Sequence, residues 1–339
     1  MKLKHFAWHF LPILFLCAAA PLQRGRELTP IDQLGEKHLT FLQPALDASF
    51  GFRLDPGVNC TGTYISDKGH FITALHCISA CLAKSGALVR ERALPGHFTL
   101  RPTFKVSVDE VRLKDITCKG KIGNKDVEVT VIATGGKGWL EPKNSLAAFS
   151  KRFPEEYKEL VDEGFEHSAD YAVLQVVNTK PKTCLPLVSV DVSEGETLHA
   201  VSFPCLKRDE LRTSGQTPLY TSGVTTKGFK ESEYFKKLGP RKIEFHVESV
   251  DRKETFFSTL DIEKCGSGSA LFDDRLKIVG IATRVYKTST RYESGGLESI
   301  RSSHILKELK NKRPADFEEI TSCSAKSHAS HEASQSPLL

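Results

Sequence analysis

At 339 residues, 40% of them hydrophobic, the chain can bury one large core or two modest ones. Past Ala20 it carries no apolar run long enough to cross a bilayer. The formal charge of +5 is mild, and the lysines are scattered rather than grouped with aromatics, so no nucleic-acid partner is expected.

Met1 to Ala20 opens with Lys2 and Lys4, runs through apolar Phe6 to Leu16 and ends in Cys17-Ala18-Ala19-Ala20. These are the charged, apolar and small-residue zones of a secretory signal peptide over residues 1–20, with cleavage expected near Ala19 and a secreted or periplasmic mature protein. A buried or anchoring N-terminal helix is the competing reading. Setting Cys17 aside leaves Cys60, Cys77, Cys81, Cys118, Cys184, Cys205, Cys265 and Cys323. An even number in an exported chain points to disulfides, whose pairing the sequence alone does not fix. His76-Cys77 with Cys81 also resembles a ligand cluster, but zinc sites usually show two paired ligand groups and no second group of matching spacing follows, so no metal and no cofactor is expected.

Residues 21–47 read as an irregular or partly helical entry segment. Strands are expected at Ala48 to Leu54 and Cys60 to Ser66, with Asp67-Lys68-Gly69-His70 turning the chain into Phe71-Ile72-Thr73. Further β-prone segments lie at Phe98 to Leu100, Phe104 to Val108, Val111 to Cys118 and Val127 to Ala133. Pro154 to Glu163 breaks the series: Tyr157, Leu160 and Val161 fall at helical spacing among charges. A second β-rich half runs from Tyr171 through Leu185 to Val190, then Thr197 to Phe203, Tyr220 to Lys227, Lys242 to Val250, Thr255 to Ile262, Ala270 to Phe272 and Lys277 to Val285. Ile300 to Lys310 reads as a C-terminal helix with Ile305 and Leu309 on one face, and residues 313–339 as a disordered tail. Many short strands at this spacing suggest an all-β barrel or sandwich.

Three stations carry chemistry. Cys265-Gly266-Ser267-Gly268-Ser269 places a serine among small residues between two β-prone segments, where a tight turn can expose a hydroxyl and aim amides at a developing oxyanion. Alone it is an ordinary turn. Upstream, Thr73-Ala74-Leu75-His76-Cys77 supplies a base just past a strand end, and Ser168-Ala169-Asp170-Tyr171-Ala172 supplies a carboxylate. An alcohol is a poor nucleophile until an imidazole takes its proton, and a carboxylate fixes the imidazole's tautomer. The residue types His76, Asp170 and Ser267 meet that need.

With Cys60-Thr61-Gly62-Thr63-Tyr64-Ile65 before the histidine, Asp170-Tyr171-Ala172-Val173-Leu174, Thr183-Cys184-Leu185-Pro186 and the serine turn, the chain resembles the chymotrypsin-like (trypsin-like) serine peptidases over about Ala48 to Lys310, or residues 48–312 as a domain. The resemblance implies two packed six-stranded antiparallel Greek-key β-barrels with a C-terminal helix and a cleft between them. It implies a catalytic triad of His76, Asp170 and Ser267, an oxyanion hole of the Cys265 and Ser267 backbone N–H groups, and protein or peptide substrates. It also implies a Cys60–Cys77 disulfide and, from Ser202-Phe203-Pro204, a Cys205–Cys265 disulfide. Asp261, six residues before Ser267, aligns with a pocket floor suited to basic substrates, whereas Thr283 and Arg284 align with the pocket wall, where Arg284 would favour acidic ones. The chain departs from the family where Cys265 stands for the usual glycine, Gly266 for the usual acid and Ala270 for a common proline. Gly266 argues against activation by an ion pair to a new amino terminus, and Ser267-Gly268-Ser269 is closer to bacterial-type secreted members.

Two other readings compete. A peptidase fold kept as a catalytically inactive binding or adhesion protein would explain the substitutions around the serine. An α/β-hydrolase esterase orders its triad Ser, Asp, His and needs parallel βα units, which this pattern lacks.

Overall fold

A computed structural model describes residues 28–55, 57–92, 104–109, 113, 116–135, 138–141, 155, 170–205, 217–226, 254–262, 265–287 and 294–324. The chain enters through β1 (Thr29–Pro30) and α1 (Glu36–Ala48), whose Leu42, Ala45 and Ala48 form its buried face. Then follow β2 (Ser49–Leu54), β3 (Asn59–Tyr64), β4 (His70–Thr73) and a one-turn 3-10 helix over Leu75–Cys77. A short helix α2 (Ser79–Lys84) leads to β5 (Leu88–Arg92), β6 (Phe104–Val108), β7 (Thr117–Ile122), β8 (Lys125–Thr134), β9 (Gly138–Glu141) and β10 (Ala172–Val176).

Strands β10, β4, β3, β2, β7 and β8 close, in that order, into an antiparallel barrel. Side chains alternate across a strand, and in β8 this leaves Val129, Val131 and Ala133 facing the protein interior. The first barrel is filled by Phe50, Phe52, Tyr64 and Phe71, with Phe50 and Phe71 centroids 5.2 Å apart at 69°. Gly62 is small for a reason: a Cβ there would stand 2.9 Å from Phe71 Cδ2. The insertions after α2 and after β8 meet in a separate three-stranded sheet, β5-β6-β9.

The second half contains β11 (Thr197–Ser202), β12 (Leu219–Thr226), β13 (Thr255–Ser258), β14 (Ala270–Phe272), β15 (Ile278–Lys287) and β16 (Ser294–Arg301), followed by α3 (Ser302–Lys312) and α4 (Phe317–Thr321). These six strands run β12-β11-β14-β15-β16-β13, and a β12–β13 pairing closes the second barrel. β1 adds to β12, placing Thr29 opposite Tyr220. The two barrels share a core of Ile65, Ile72, Tyr171, Val201, Phe272 and Ile300, sealed by α1 and by Ile305 and Leu309 of α3. Each such side chain removed from water contributes about 1.5–3 kcal/mol. The expected all-β double barrel with a C-terminal helix is therefore the fold.

Several expectations need correction. The disordered tail does not begin at residue 313: Ile320 of α4 is buried, Cys323 is bonded to Cys184, and Asp67 accepts the Ser324 N–H at 2.9 Å and the Ser324 hydroxyl. The polar composition hid this, because Cys184 and Cys323 lie 139 residues apart. The stretch around Leu185 to Val190 joins no sheet as a strand; only Leu187 bridges to Ile278. Strands β5, β9 and β16 were not legible, β16 because Gly295 and Gly296 interrupt its apolar pattern. The leader, Phe98 to Leu100, the Pro154 to Glu163 helix apart from Glu155, Lys242 to Val250 and residues 325–339 lie outside the described residues.

His70 of β4 is 3% exposed, and its Nδ1 shares a 2.7 Å hydrogen bond with Ser66 Oγ. Burial lowers its pKa from 6.5 to about 4, with Arg313 adding to the depression and Glu319 and Asp316 opposing it. The folded protein thus binds fewer protons there than the unfolded chain. Stability from this site is full above pH 6.5 and falls as the pH drops towards 4. Urea unfolding from pH 7 to 4 should show wild type losing stability faster than His70→Gln; parallel curves would contradict the assignment.

Candidate active site

His76 sits in the 3-10 turn that ends β4, where Cys77 N–H bonds Ala74 O at 3.1 Å and Ser79 Oγ donates to the His76 carbonyl at 2.9 Å. Asp170 lies two residues before β10, which pairs with β4, so the two meet at the same barrel end. Its neighbour Tyr171 is buried and donates its hydroxyl to Glu308 Oε2 of α3 at 2.9 Å. Asp170 Oδ2 lies 2.9 Å and Oδ1 3.1 Å from His76 Nδ1, and Oδ1 also accepts the His76 backbone N–H at 2.9 Å. An ionised carboxylate can only accept, so Nδ1 carries a proton, and in the neutral ring the lone pair is then on Nε2. Asp170 is 13% exposed and His76 30%, leaving the ring reachable from solvent.

The serine turn packs directly on the strands that deliver His76. The Thr61 N–H donates to the Ser267 carbonyl at 3.0 Å, and that oxygen is 3.7 Å from Cys77 Sγ. Gly268 has φ +86°, and a Cβ on it would collide with Thr73 Oγ1, the Thr61 carbonyl and, at 2.8 Å, the Ala74 nitrogen. Behind the turn, Gly268 N–H bonds Ala282 O at 2.8 Å, and Ala282 N–H bonds Ser269 O at 2.9 Å. The Gly266 carbonyl accepts both Ser269 N–H at 3.1 Å and Ser269 Oγ at 2.7 Å. Among the described residues, the N–H groups of Cys265, Gly266 and Ser267 have no hydrogen-bond acceptor, nor does Ser267 Oγ bond to His76. Ser267 is half-buried.

All eight described cysteines are paired: Cys60–Cys77, Cys81–Cys118, Cys184–Cys323 and Cys205–Cys265. The first and last are the pairs the resemblance implied. The potential ligand groups Cys60-His76-Cys77 and Asp67-Cys184-Cys323 are built on these bridges and offer no thiolate.

Thr283 adjoins the turn through Ala282 and donates its hydroxyl to the Glu298 carbonyl at 3.2 Å. Arg284 is paired in register with Glu298, and its side chain lies outside the described residues. Asp261 is tied to β12, its N–H 3.4 Å from Thr221 Oγ1, between the buried Leu260 and Ile262. Sequence reasoning passed over Glu298, a buried acid of β16 beside Thr283, and Thr61, whose hydroxyl faces the serine turn. A second histidine–carboxylate pair exists at His199, but its Nε2 is 2.7 Å from Asp274 Oδ1 and its Nδ1 2.8 Å from Tyr220 Oη. Both ring nitrogens are committed, so it has no lone pair to offer a substrate.

The sequence profile of the trypsin-like peptidase domain matches residues 60–281. The chain belongs to that family. No curated protein matches it. Among solved structures it is similar to an inactive form of a serine-to-alanine mutant of Rv3671c from M. tuberculosis H37Rv, at 12% identity and TM-score 0.42, covering 81% of this chain and 91% of that one. It is similar to Deg5 at 16% identity and TM-score 0.41, covering 82% and 97%. The scabies mite inactivated protease paralogue S-D1 matches at 12% identity and TM-score 0.43, covering 80% and 94%. Similarity at this level carries no activity over to this trypsin-like chain.

The collision at Gly268 gives a direct check on the serine turn. Gly268→Ala should lose soluble expression or, if folded, melt well below wild type with the turn displaced; unchanged melting and turn geometry would contradict the packing.

Proposed function

We propose that the protein is an exported serine endopeptidase that cleaves peptide bonds through His76, Asp170 and Ser267 with an acyl-enzyme intermediate. The observation that carries this reading is the His76 Nδ1 to Asp170 contact at 2.9 Å beside a serine turn whose leading amides have no acceptor among the described residues. His76 Nε2 takes the Ser267 proton as Oγ attacks the scissile carbonyl, and the carbonyl oxygen becomes an oxyanion held by the Cys265 and Ser267 N–H groups. Collapse of that intermediate breaks the C–N bond, with His76 returning the proton to the leaving amine. Water, deprotonated by the same ring, then cleaves the ester and frees Ser267. Asp170 orients the ring and stabilises its cation. The Oγ to Nε2 hydrogen bond forms as substrate seats, a tightening common to such sites.

Protein or peptide substrates follow from the fold, and four disulfides support an oxidising compartment, secreted or periplasmic. No described helix is long and apolar enough to cross a membrane. The second reading, an inactive binding protein, is favoured by the absence of a Ser267 to His76 hydrogen bond and by the replaced residues Cys265, Gly266 and Ala270.

A fluorophosphonate probe separates the two. Labelling should occur on Ser267, vanish in Ser267→Ala, and slow by roughly 10⁴-fold or more in His76→Ala. Folded wild-type protein that takes no label favours the binding protein.

A further inference from the structure

Cys265 is a non-glycine residue at φ +73°. That left-handed region is open to glycine and penalises residues with a Cβ, so something must hold Cys265 there. The structure supplies two restraints. One is the disulfide to Cys205, with Cα atoms 5.4 Å apart. The other is Thr61, whose hydroxyl donates to the Cys265 carbonyl at 3.3 Å and accepts the Phe203 N–H at 3.0 Å. The Asn59 amide adds a contact to Cys205 Sγ at 3.7 Å. Thus β3 grips the loop bearing Cys205 and the turn bearing Cys265, and the disulfide joins them.

In a trans peptide, the C=O and the following N–H point opposite ways. With the Cys265 carbonyl drawn to Thr61, a relaxation of φ at Cys265 must rotate the peptide before it, and that peptide carries the Cys265 N–H. The amide would swing away while Ser267, held by Thr61 N–H, stayed in place.

We infer that the Cys205–Cys265 disulfide positions the catalytic machinery: it holds Cys265 in a conformation glycine would adopt unaided, and so keeps the Cys265 N–H aimed at the oxyanion. Cys205 and the Cys265 sulfur act through that amide and touch no reacting atom. This inference rests on the serine-peptidase reading above.

The test compares wild type, Cys205→Ala, Cys205→Ala/Cys265→Ala and Cys205→Ala/Cys265→Gly on an internally quenched peptide chosen from a library for cleavage by wild type. All three variants lack the bridge and share the loss of whatever stability it confers, read as Tm. Both variants with a side chain at position 265 should lose roughly ten- to a hundredfold in kcat with KM changed less than about threefold. The glycine variant should recover to within about threefold of wild-type kcat despite its lowered Tm, because it needs no clamp. Side-chain variants with wild-type kcat, or a glycine variant as slow as they are, overturn the inference.

Should the alanine variants fail to fold, dithiothreitol added to folded wild type replaces them. Its two thiols are oxidised to a cyclic disulfide as Cys205 and Cys265 become thiols; kcat should fall and return on reoxidation, and the glycine variant, which keeps the other three bridges, should not respond. Equal loss in both proteins overturns the clamp. Wild type that neither cleaves any library peptide nor takes a fluorophosphonate label overturns the peptidase reading, and this inference with it; activity with no clamp effect removes only the inference.

Discussion

The site depends on the hydrogen bond from the Thr61 N–H of the first barrel to the Ser267 carbonyl of the second, at 3.0 Å. It is one of a few directional contacts between the two halves, with those of the Thr61 hydroxyl to the Cys265 carbonyl and the Phe203 N–H, set among apolar packing that is strong but nondirectional. Shape fixes what the bond begins: Gly268 lies so close to Thr61, Thr73 and Ala74 that no side chain fits between. The serine turn therefore rests on the strands that deliver His76. Asp170 is brought to the same end by the pairing of β10 with β4.

Legibility in the sequence followed locality. The strand of Cys60 to Tyr64 and that of Ala270 to Phe272 could be read because β-branched, aromatic and apolar residues alternate between clear turn signals. The three stations were legible because each is a short run with its own chemistry. What could not be read depended on distant partners. Ile320 and Cys323 look like parts of a polar tail until Cys184 is placed beside them, and β16 carries two glycines that interrupt its apolar pattern. Thr61 belongs to the histidine motif, yet nothing local says that its hydroxyl bonds the opposite barrel. Glu298, buried beside Thr283, is likewise invisible to a pattern that expects strand interiors to be apolar.

The disulfides divide into two kinds by what they hold. Cys81–Cys118 and Cys184–Cys323 pin peripheral segments, α2 and the residues after α4, to the first barrel. Cys60–Cys77 and Cys205–Cys265 flank the candidate site, one beside His76 and one at the serine turn. Where the family places an unhindered glycine and an acid, this chain has a bridged cysteine and Gly266. At Cys265 the backbone is held by a covalent strut to Cys205 and by the Thr61 hydroxyl.

The most direct measurement is a crystal structure of the protein after reaction with an aryl phosphonate. Phosphorus is expected on Ser267 Oγ, its phosphoryl oxygen at roughly 2.7–3.1 Å from the Cys265 and Ser267 nitrogens, and His76 Nε2 within hydrogen-bond reach of the adduct. An adduct on another residue, or a phosphoryl oxygen turned to solvent with His76 remote from it, would contradict the account.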